Sequence, residues 1–183
     1  MIDRILEISK KEGLSHIGSN LTAYDIIAEI YEKKRLEDKF VLSSGHAHLA
    51  HALVMGREDM PAGIHCDKEN GCDVSTGSLG LGLPIALGMA IASKDRDVYC
   101  IISDGECSEG SVWESLRVAG ELKLTNLKVY CNANGWGAYK QIDVDELDKR
   151  LNIFYPVKVV RTNSDFGEIK GQDAHYATVT TVK

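Results

Sequence analysis

Ser103-Asp104-Gly105-Glu106 follows the apolar run Val98-Tyr99-Cys100-Ile101-Ile102, and Asn134 follows a second apolar run, Leu127-Lys128-Val129-Tyr130-Cys131. An apolar run that ends in Asp-Gly reads as a buried strand delivering a carboxylate to its C-terminal tip, the edge where open parallel sheets hold their ligands. If the two runs are neighbouring strands, Asp104 and Asn134 converge with a charged oxygen and a neutral amide oxygen, a ligand set suited to magnesium. Gly105 lets backbone approach a phosphate closely. The chemistry indicated is a cation holding a diphosphate, although Asp-Gly by itself is also a common turn.

Histidines form the second candidate group. His16 and His46 stand in predicted loops, and His46 directly follows a glycine, a setting in which a histidine has little to do in a core; His46 is therefore placed on the diphosphate or the substrate. His46, His48 and His51 are spaced closely enough to raise zinc, for which histidine is a common ligand. No Cys or acidic residue of matching geometry stands near them, so a surface or packing role is expected for His48 and His51. Ser75-Thr76-Gly77-Ser78-Leu79-Gly80-Leu81-Gly82 can bring backbone to a ligand or simply make a tight helix start. Glu106 and Glu109 fit N-terminal helix acids favoured by the macrodipole.

The elements needed to position these residues are legible in outline. Ile2, Ile5, Leu6 and Ile8 predict an amphipathic helix over residues 2 to 12 ending near Gly13. Asn20 or Thr22 can cap a second helix with Ile26, Ile27, Ile30 and Tyr31 on its inner face. Phe40 to Ser43 reads as a short strand, Ala47 to Met55 as a helix, and residues 56 to 74 as a loop. A helix opening at Gly77 to Gly82 carries Ala86, Gly88, Ala90 and Ala92 for close packing on a sheet. The strand at 98 to 102, a helix at about 110 to 122 and the strand at 127 to 131 make a βαβ unit, followed by helix 145 to 151 and strand 157 to 162. This alternation predicts an α/β fold, a mostly parallel sheet flanked by helices.

The chain has 183 residues, 44% of them hydrophobic, and reads as a single domain over 1–183. A net charge of −6 with no basic stripe argues against nucleic acid and for small molecules or another protein as partners. No stretch approaches the about 20 continuous apolar residues of a membrane span, and the N-terminus does not read as a signal peptide. Five cysteines at unrelated spacings fit free thiols in a reducing cytoplasm.

Ser103-Asp104-Gly105, followed 30 residues after Asp104 by Asn134-Gly135, resembles the fingerprint of thiamine diphosphate enzymes, and the wording around it resembles the transketolase family. Asp104 through Glu114 and Lys123 through Leu127 are similar to small-subunit transketolases. Ser75 to Gly82 resembles the family's cofactor-contacting loop, and Ser15-His16-Ile17-Gly18 and Ser43-Ser44-Gly45-His46 resemble its two early histidine motifs. The resemblance covers roughly residues 10 to 140 and implies the diphosphate-binding half of a thiamine diphosphate fold. It departs after Asn134, where one βα unit is absent and the fold is shortened near the C-terminus.

The resemblance implies that Asp104, Asn134 and the Trp136 carbonyl hold Mg²⁺ against the two phosphates. Gly77, Ser78, Leu79, Gly105 and Glu106 would join His46 and Asn134 in holding the cofactor, with His175 as the family's last cofactor-contacting histidine. His16, His46, His65 and His175 would act near the thiazolium, orienting a donor ketose and moving protons as groups that titrate near neutrality. Of these, His65 matches only with a register shift and His175 through the short string Ala174-His175-Tyr176. Glu109 matches a glutamate that links two active sites across the subunit interface. The family's ylid-activating glutamate belongs to a second domain, which this chain is too short to contain. The implied protein is half of a split transketolase working on sugar phosphates, inactive alone and completed by a pyrimidine-binding partner in a heterotetramer. A deoxyxylulose-phosphate synthase-like enzyme, a noncatalytic module of the same fold and a histidine-built zinc hydrolase are the rival readings. Ser103 stands where the family's first glycine is usual.

Overall fold

The two apolar runs that precede Asp104 and Asn134 are neighbouring parallel strands, β2 (Val98–Ser103) and β3 (Leu127–Ala133), in register from Val98 opposite Leu127 to Ser103 opposite Asn132. In the computed structural model, which describes residues 1–57, 65–137, 140–163, 165–166 and 169–171, they are the centre of a four-stranded sheet. Strand β1 (Lys39–Leu42) lies beside β2 and β4 (Val157–Arg161) beside β3, all parallel, in the order β1-β2-β3-β4. A small antiparallel pair, β5 (Asp165–Phe166) and β6 (Ile169–Lys170), follows.

Both faces of the sheet are covered because successive side chains of a strand point to opposite sides and nearly all of these are apolar. Val98, Cys100, Ile102, Val129 and Cys131 pack with residues of α4 (Gly82–Ala92), α5 (Gly110–Glu121) and α6 (Val144–Phe154), among them Leu83, Leu116 and Leu151. The intervening residues Tyr99, Ile101 and Tyr130 join Phe40 and Leu42 against α2 (Ile17–Lys33) and the turn into α3 (His48–Val54). Helix α1 (Ile2–Glu12) packs outside α2 through Ile5, Leu14 and Leu49 and ends at Gly13 in a left-handed cap, as the sequence predicts. Fully burying each Leu or Ile contributes about 2 kcal/mol, so the two-sided sheet is the main source of stability.

Several boundaries differ from expectation. Helix α2 begins at Ile17, with His16 at its N-cap in the left-handed region (φ 60°), so neither Asn20 nor Thr22 caps it. Thr22 instead donates back to the Gly18 carbonyl, and the Asn20 side chain is used in bonds to the His16 and His46 carbonyls. Gly45–Ala47 is a 3₁₀ turn before α3 rather than loop and first helical turn, and Lys68–Asn70 adds another 3₁₀ turn within the expected loop. Helix α4 starts at Gly82 and not at Gly77, because Thr76 and Gly80 are tied by hydrogen bonds to Leu42 and Glu106 at the strand tips. Ala86 and Ala90 pack on the sheet as expected, whereas Gly88 and Ala92 face outward.

The free edge of β1 is covered by side chains instead of a strand. The Asp73 carboxylate accepts from Phe40 N at 2.9 Å and pairs with Lys39 Nζ at 2.7 Å, and Thr76 Oγ1 donates to the Leu42 carbonyl at 2.6 Å. These bonds occupy Phe40 N and the Leu42 carbonyl, which blunts the edge against a further strand.

Candidate functional site

The C-terminal tips of β1, β2 and β3 carry the residues singled out from the sequence. Asp104, buried, follows β2, and Asn134 follows β3. The Asp104 carboxylate accepts from Gly105 N through Oδ1 at 2.9 Å and from Gly135 N through Oδ2 at 2.7 Å, so it already spans the two strand ends. Asn134 Oδ1 accepts from Trp136 N at 2.9 Å, which turns the chain just past β3. A buried carboxylate oxygen and an amide oxygen at adjacent tips are hard donors that fit Mg²⁺. Beside them a Cβ on Gly105 would meet only ordinary contacts, Gly137 Cα at 3.7 Å and Ser103 Oγ at 3.9 Å, which leaves the backbone open to a ligand.

Glu106 has a use beyond its sequence reading as an N-terminal helix acid. It is fully buried, with Oε1 accepting from Ser43 Oγ at 2.6 Å and Gly80 N at 2.9 Å, and Oε2 accepting from Ser103 N at 3.0 Å. One carboxylate thus ties the tip of β1, the glycine-rich loop and the tip of β2. It stands in the first turn of the 3₁₀ helix Gly105–Ser108, and its carboxylate positions the loop. Burial holds its carboxyl above the ordinary range although the Ser43, Gly80 and Ser103 hydrogen bonds act the other way. Glu109, by contrast, is exposed at the N-cap of α5 and makes no capping bond there.

The glycine-rich loop is held by close backbone approach at two points. Gly45 lies so near Thr76 that a Cβ would fall 2.7 Å from the Thr76 carbonyl oxygen. Gly80 has φ +74°, and a Cβ there would sit 2.6 Å from Glu109 Cβ and from Ser111 Oγ. Only glycine combines that backbone angle with that space. The same loop turns Leu79 and Leu81 outward, 41% and 47% exposed.

His16 and His46 come together, their ring centroids 4.9 Å apart, and Ser15 Oγ lies 2.8 Å from His16 Nδ1. What joins them is a residue the sequence offered only as a helix cap. Asn20 is buried, donates through Nδ2 to the carbonyls of His16 (3.1 Å) and His46 (3.2 Å), and accepts from Ala50 N (3.0 Å). A lone amide on the apolar side of α2 is the signal that could have found it. Asn20→Ala leaves Ala50 N and two carbonyls without this partner and is expected to cost about 2–3 kcal/mol, read as a lower urea midpoint at unchanged m.

His65 is exposed and lies against Gly77, where a Cβ would meet its ring at 3.1 Å, so it is at the loop but not in the His16–His46 pair. His175 lies outside the described residues. His48 and His51 are not on the surface: both are buried, and Cys66 and Cys72 are brought beside them, contrary to the expectation that no such residue is near. A cleft of about 580 Å³ lined by Leu124, Lys128, Tyr155 and Pro156 lies at the opposite edge of the sheet, at the N-terminal ends of β3 and β4.

Among known proteins, the family described as 1-deoxy-D-xylulose-5-phosphate synthase matches residues 2–168. The 6-deoxy-6-sulfo-D-fructose transketolase subunit SqwG of Clostridium sp. (strain MSTE9) is 29% identical over 84% of this chain and 64% of that protein. An apulose-4-phosphate transketolase subunit from Actinobacillus succinogenes is 32% identical over 76% of this chain and 63% of its own length. Human transketolase is 38% identical over 81% of this chain, which corresponds to 28% of that enzyme. The chain thus spans less than two thirds of the length of each of these relatives. In structure, transketolase from Campylobacter jejuni subsp. jejuni NCTC 11168 superposes with a TM-score of 0.65 at 18% identity, over 96% of this chain and 41% of that one, a likeness of fold.

Proposed function

From the premise that this chain belongs to the family described as 1-deoxy-D-xylulose-5-phosphate synthase, with transketolases and transketolase subunits among its relatives, we propose that it is the diphosphate- and Mg²⁺-binding subunit of a split ketol transferase. The observation that carries the proposal is the placement of Asp104 and Asn134 at the adjacent tips of β2 and β3, with the Asp104 carboxylate hydrogen-bonded to Gly135 N, next to Asn134. The family's cofactor is thiamine diphosphate, which when bound supplies the nucleophilic carbon and electron sink for breaking a carbon–carbon bond beside a carbonyl.

In this reading Asp104, Asn134 and the Trp136 carbonyl hold Mg²⁺, and Gly105, Gly77, Ser78 and Leu79 present backbone or side chain to the cofactor. Glu106 keeps the glycine loop against β1 and β2. His16 and His46, fastened to each other through Asn20, hold and move a proton at the donor sugar's hydroxyl or carbonyl oxygen, with His65 at the entrance beside Gly77. His175 would join them from beyond the described residues. The substrates are sugar phosphates. Ser103, where the family's first glycine is usual, uses its Oγ to accept from Glu106 N at 3.2 Å, so the side chain has a structural use there.

The pyrimidine-contacting glutamate and most sugar-phosphate cations are assigned to a partner protein, in a heterotetramer with cofactor at the interfaces. Two features support this. SqwG and the apulose-4-phosphate relative are themselves named as subunits, and exposed Leu79, Leu81 and Glu109 surround the glycine loop as a surface for a partner. No helix among the described residues is long and apolar enough to cross a membrane, and we place the assembly in the cytoplasm. The family description favours a second reading, condensation in the manner of deoxyxylulose-phosphate synthesis, and a screen of aldehyde and keto-acid acceptors separates the two.

The test is calorimetric titration of thiamine diphosphate with Mg²⁺ into the chain alone and into its mixture with a pyrimidine-half partner, followed by a ketol-transfer assay. Binding and turnover are expected only in the mixture. Turnover by the lone chain would refute the split-enzyme reading, and absence of binding in an assembled pair would make the chain a noncatalytic module.

A further inference from the structure

Four metal-ligating side chains converge behind the glycine loop, apart from the Asp104 and Asn134 site. His48 and His51 lie one turn apart on α3, while Cys66 and Cys72 flank the 3₁₀ turn Lys68–Asn70. All four are buried, and one ligand atom from each lies within 4.8 Å of the others. His51 Nδ1 is 3.8 Å from Cys66 Sγ and 3.6 Å from Cys72 Sγ, and His48 Nδ1 is 3.8 Å from Cys72 Sγ. In a tetrahedral zinc centre with Zn–S near about 2.3 Å and Zn–N near about 2.05 Å, the nitrogen–sulfur edge is about 3.6 Å. The three nitrogen–sulfur distances are therefore those of tetrahedral edges, and no pair of the four ligand atoms is more than 4.8 Å apart.

Two further observations point to a ligand. His51 Nε2 is 2.6 Å from the phenol oxygen of Tyr31, the outer hydrogen bond that fixes a ligating imidazole and leaves Nδ1 for the metal. His48 Nε2 is buried with no hydrogen-bond partner among the described residues, so the ring is held through Nδ1, the nitrogen that faces Cys72 Sγ and the other candidate ligands. Two thiols and two imidazoles with no carboxylate select a borderline-soft ion over Mg²⁺ or Ca²⁺, and four protein ligands leave no open position for catalysis.

We propose that His48, His51, Cys66 and Cys72 bind one zinc ion as a closed structural centre that fastens the segment 65–77 to α3 and the edge of β1. The consequence for the neighbouring site is mechanical. Cys66 N donates to the Gly45 carbonyl at 3.2 Å and Thr76 N to the Cys66 carbonyl at 3.1 Å, so whatever fixes Cys66 also fixes Gly45-His46 and Thr76-Gly77. Cys72 precedes Asp73, which covers β1. A metal suits this segment because few of its own side chains are apolar enough to hold it to the fold.

The test is zinc content of the full chain purified in chelator-free buffer, together with cobalt substitution. About one zinc per chain is expected, falling at least about tenfold in Cys66→Ser and Cys72→Ser but not in Cys107→Ser, whose thiol lies outside the cluster. Cobalt should give the intense visible bands of a tetrahedral site with thiolate charge transfer, and chelation of the unmutated chain should lower its Tm, a readout that does not depend on the variants folding. Zinc below about a tenth of an equivalent with no tetrahedral cobalt spectrum would overturn the proposal. So would a Cys66–Cys72 disulfide in protein purified without oxygen.

Discussion

Asp104→Asn is expected to weaken binding of thiamine diphosphate with Mg²⁺ to the assembled two-subunit enzyme by at least about 100-fold, or about 2.7 kcal/mol, and to bring ketol transfer to background. Replacement of an outer partner of a metal ligand commonly costs about 10- to 100-fold, and loss of the charged ligand itself removes more. The amide keeps the volume and one acceptor oxygen, so the bond from Gly105 N or Gly135 N survives on one side only. Stability should fall by about 1–2 kcal/mol from the other, a change small enough to separate from the loss of cofactor. Calorimetry at several Mg²⁺ concentrations is the measurement. Unchanged affinity with unchanged Mg²⁺ dependence would remove Asp104 from the metal site and with it the main support for the cofactor reading.

Glu106→Ala is expected to be among the most destabilising single changes in the chain, on the order of 3 kcal/mol, lowering Tm by about 6–12 °C for a domain of this size. It leaves Ser43 Oγ, Gly80 N and Ser103 N without their acceptor and opens a cavity where three segments meet. Cofactor affinity of the assembly should fall with it, since the glycine loop loses its tie. The group also makes stability depend on pH in a defined direction. Its folded carboxyl titrates above the ordinary value of 4.5, so the folded chain binds the proton more tightly than the unfolded one. Stability from this group is therefore fully present below that value and is lost as pH rises through the raised one. Urea titrations from acid to neutral pH should show the slope in the unmutated chain and its absence in Glu106→Gln. A slope of opposite sign would mean that the three hydrogen bonds, and not burial, dominate.

The parts of the site that were legible in the sequence share one property: their position follows from residues close by in the chain. An apolar run with Asp-Gly at its end makes a strand and puts Asp104 at its tip whatever the rest of the molecule does, and the run before Asn134 repeats this. Gly80 was readable within the glycine-rich loop as a place for close backbone approach or a tight helix start, but its reason, the approach of Glu109 and Ser111, was not, and neither was the approach of Thr76 to Gly45. Helix starts were misread where a polar side chain had a distant use. Asn20 has the composition of a cap, yet its amide is used on His16, His46 and Ala50, and α2 starts three residues earlier at Ile17. Glu106 stands in the first turn of Gly105–Ser108, as a local reading of an N-terminal helix acid has it, but that reading could not say that the turn aims it inward at Ser43 and Gly80.

The alternation of strands and helices, the parallel sheet, and the edge of that sheet at which chemistry would lie follow from periodicity and strand-tip residues, which are local properties of the chain. Which side chains meet is a property of the folded molecule alone. His51 and Cys66 are 15 positions apart, Ser43 and Glu106 are 63, and Asn20 and His46 are 26. No local pattern encodes such distances; they are set when α3 and the following segment close onto β1 and when β2 pairs beside it, and the free energy for that closure comes from the apolar core rather than from the polar groups it brings together.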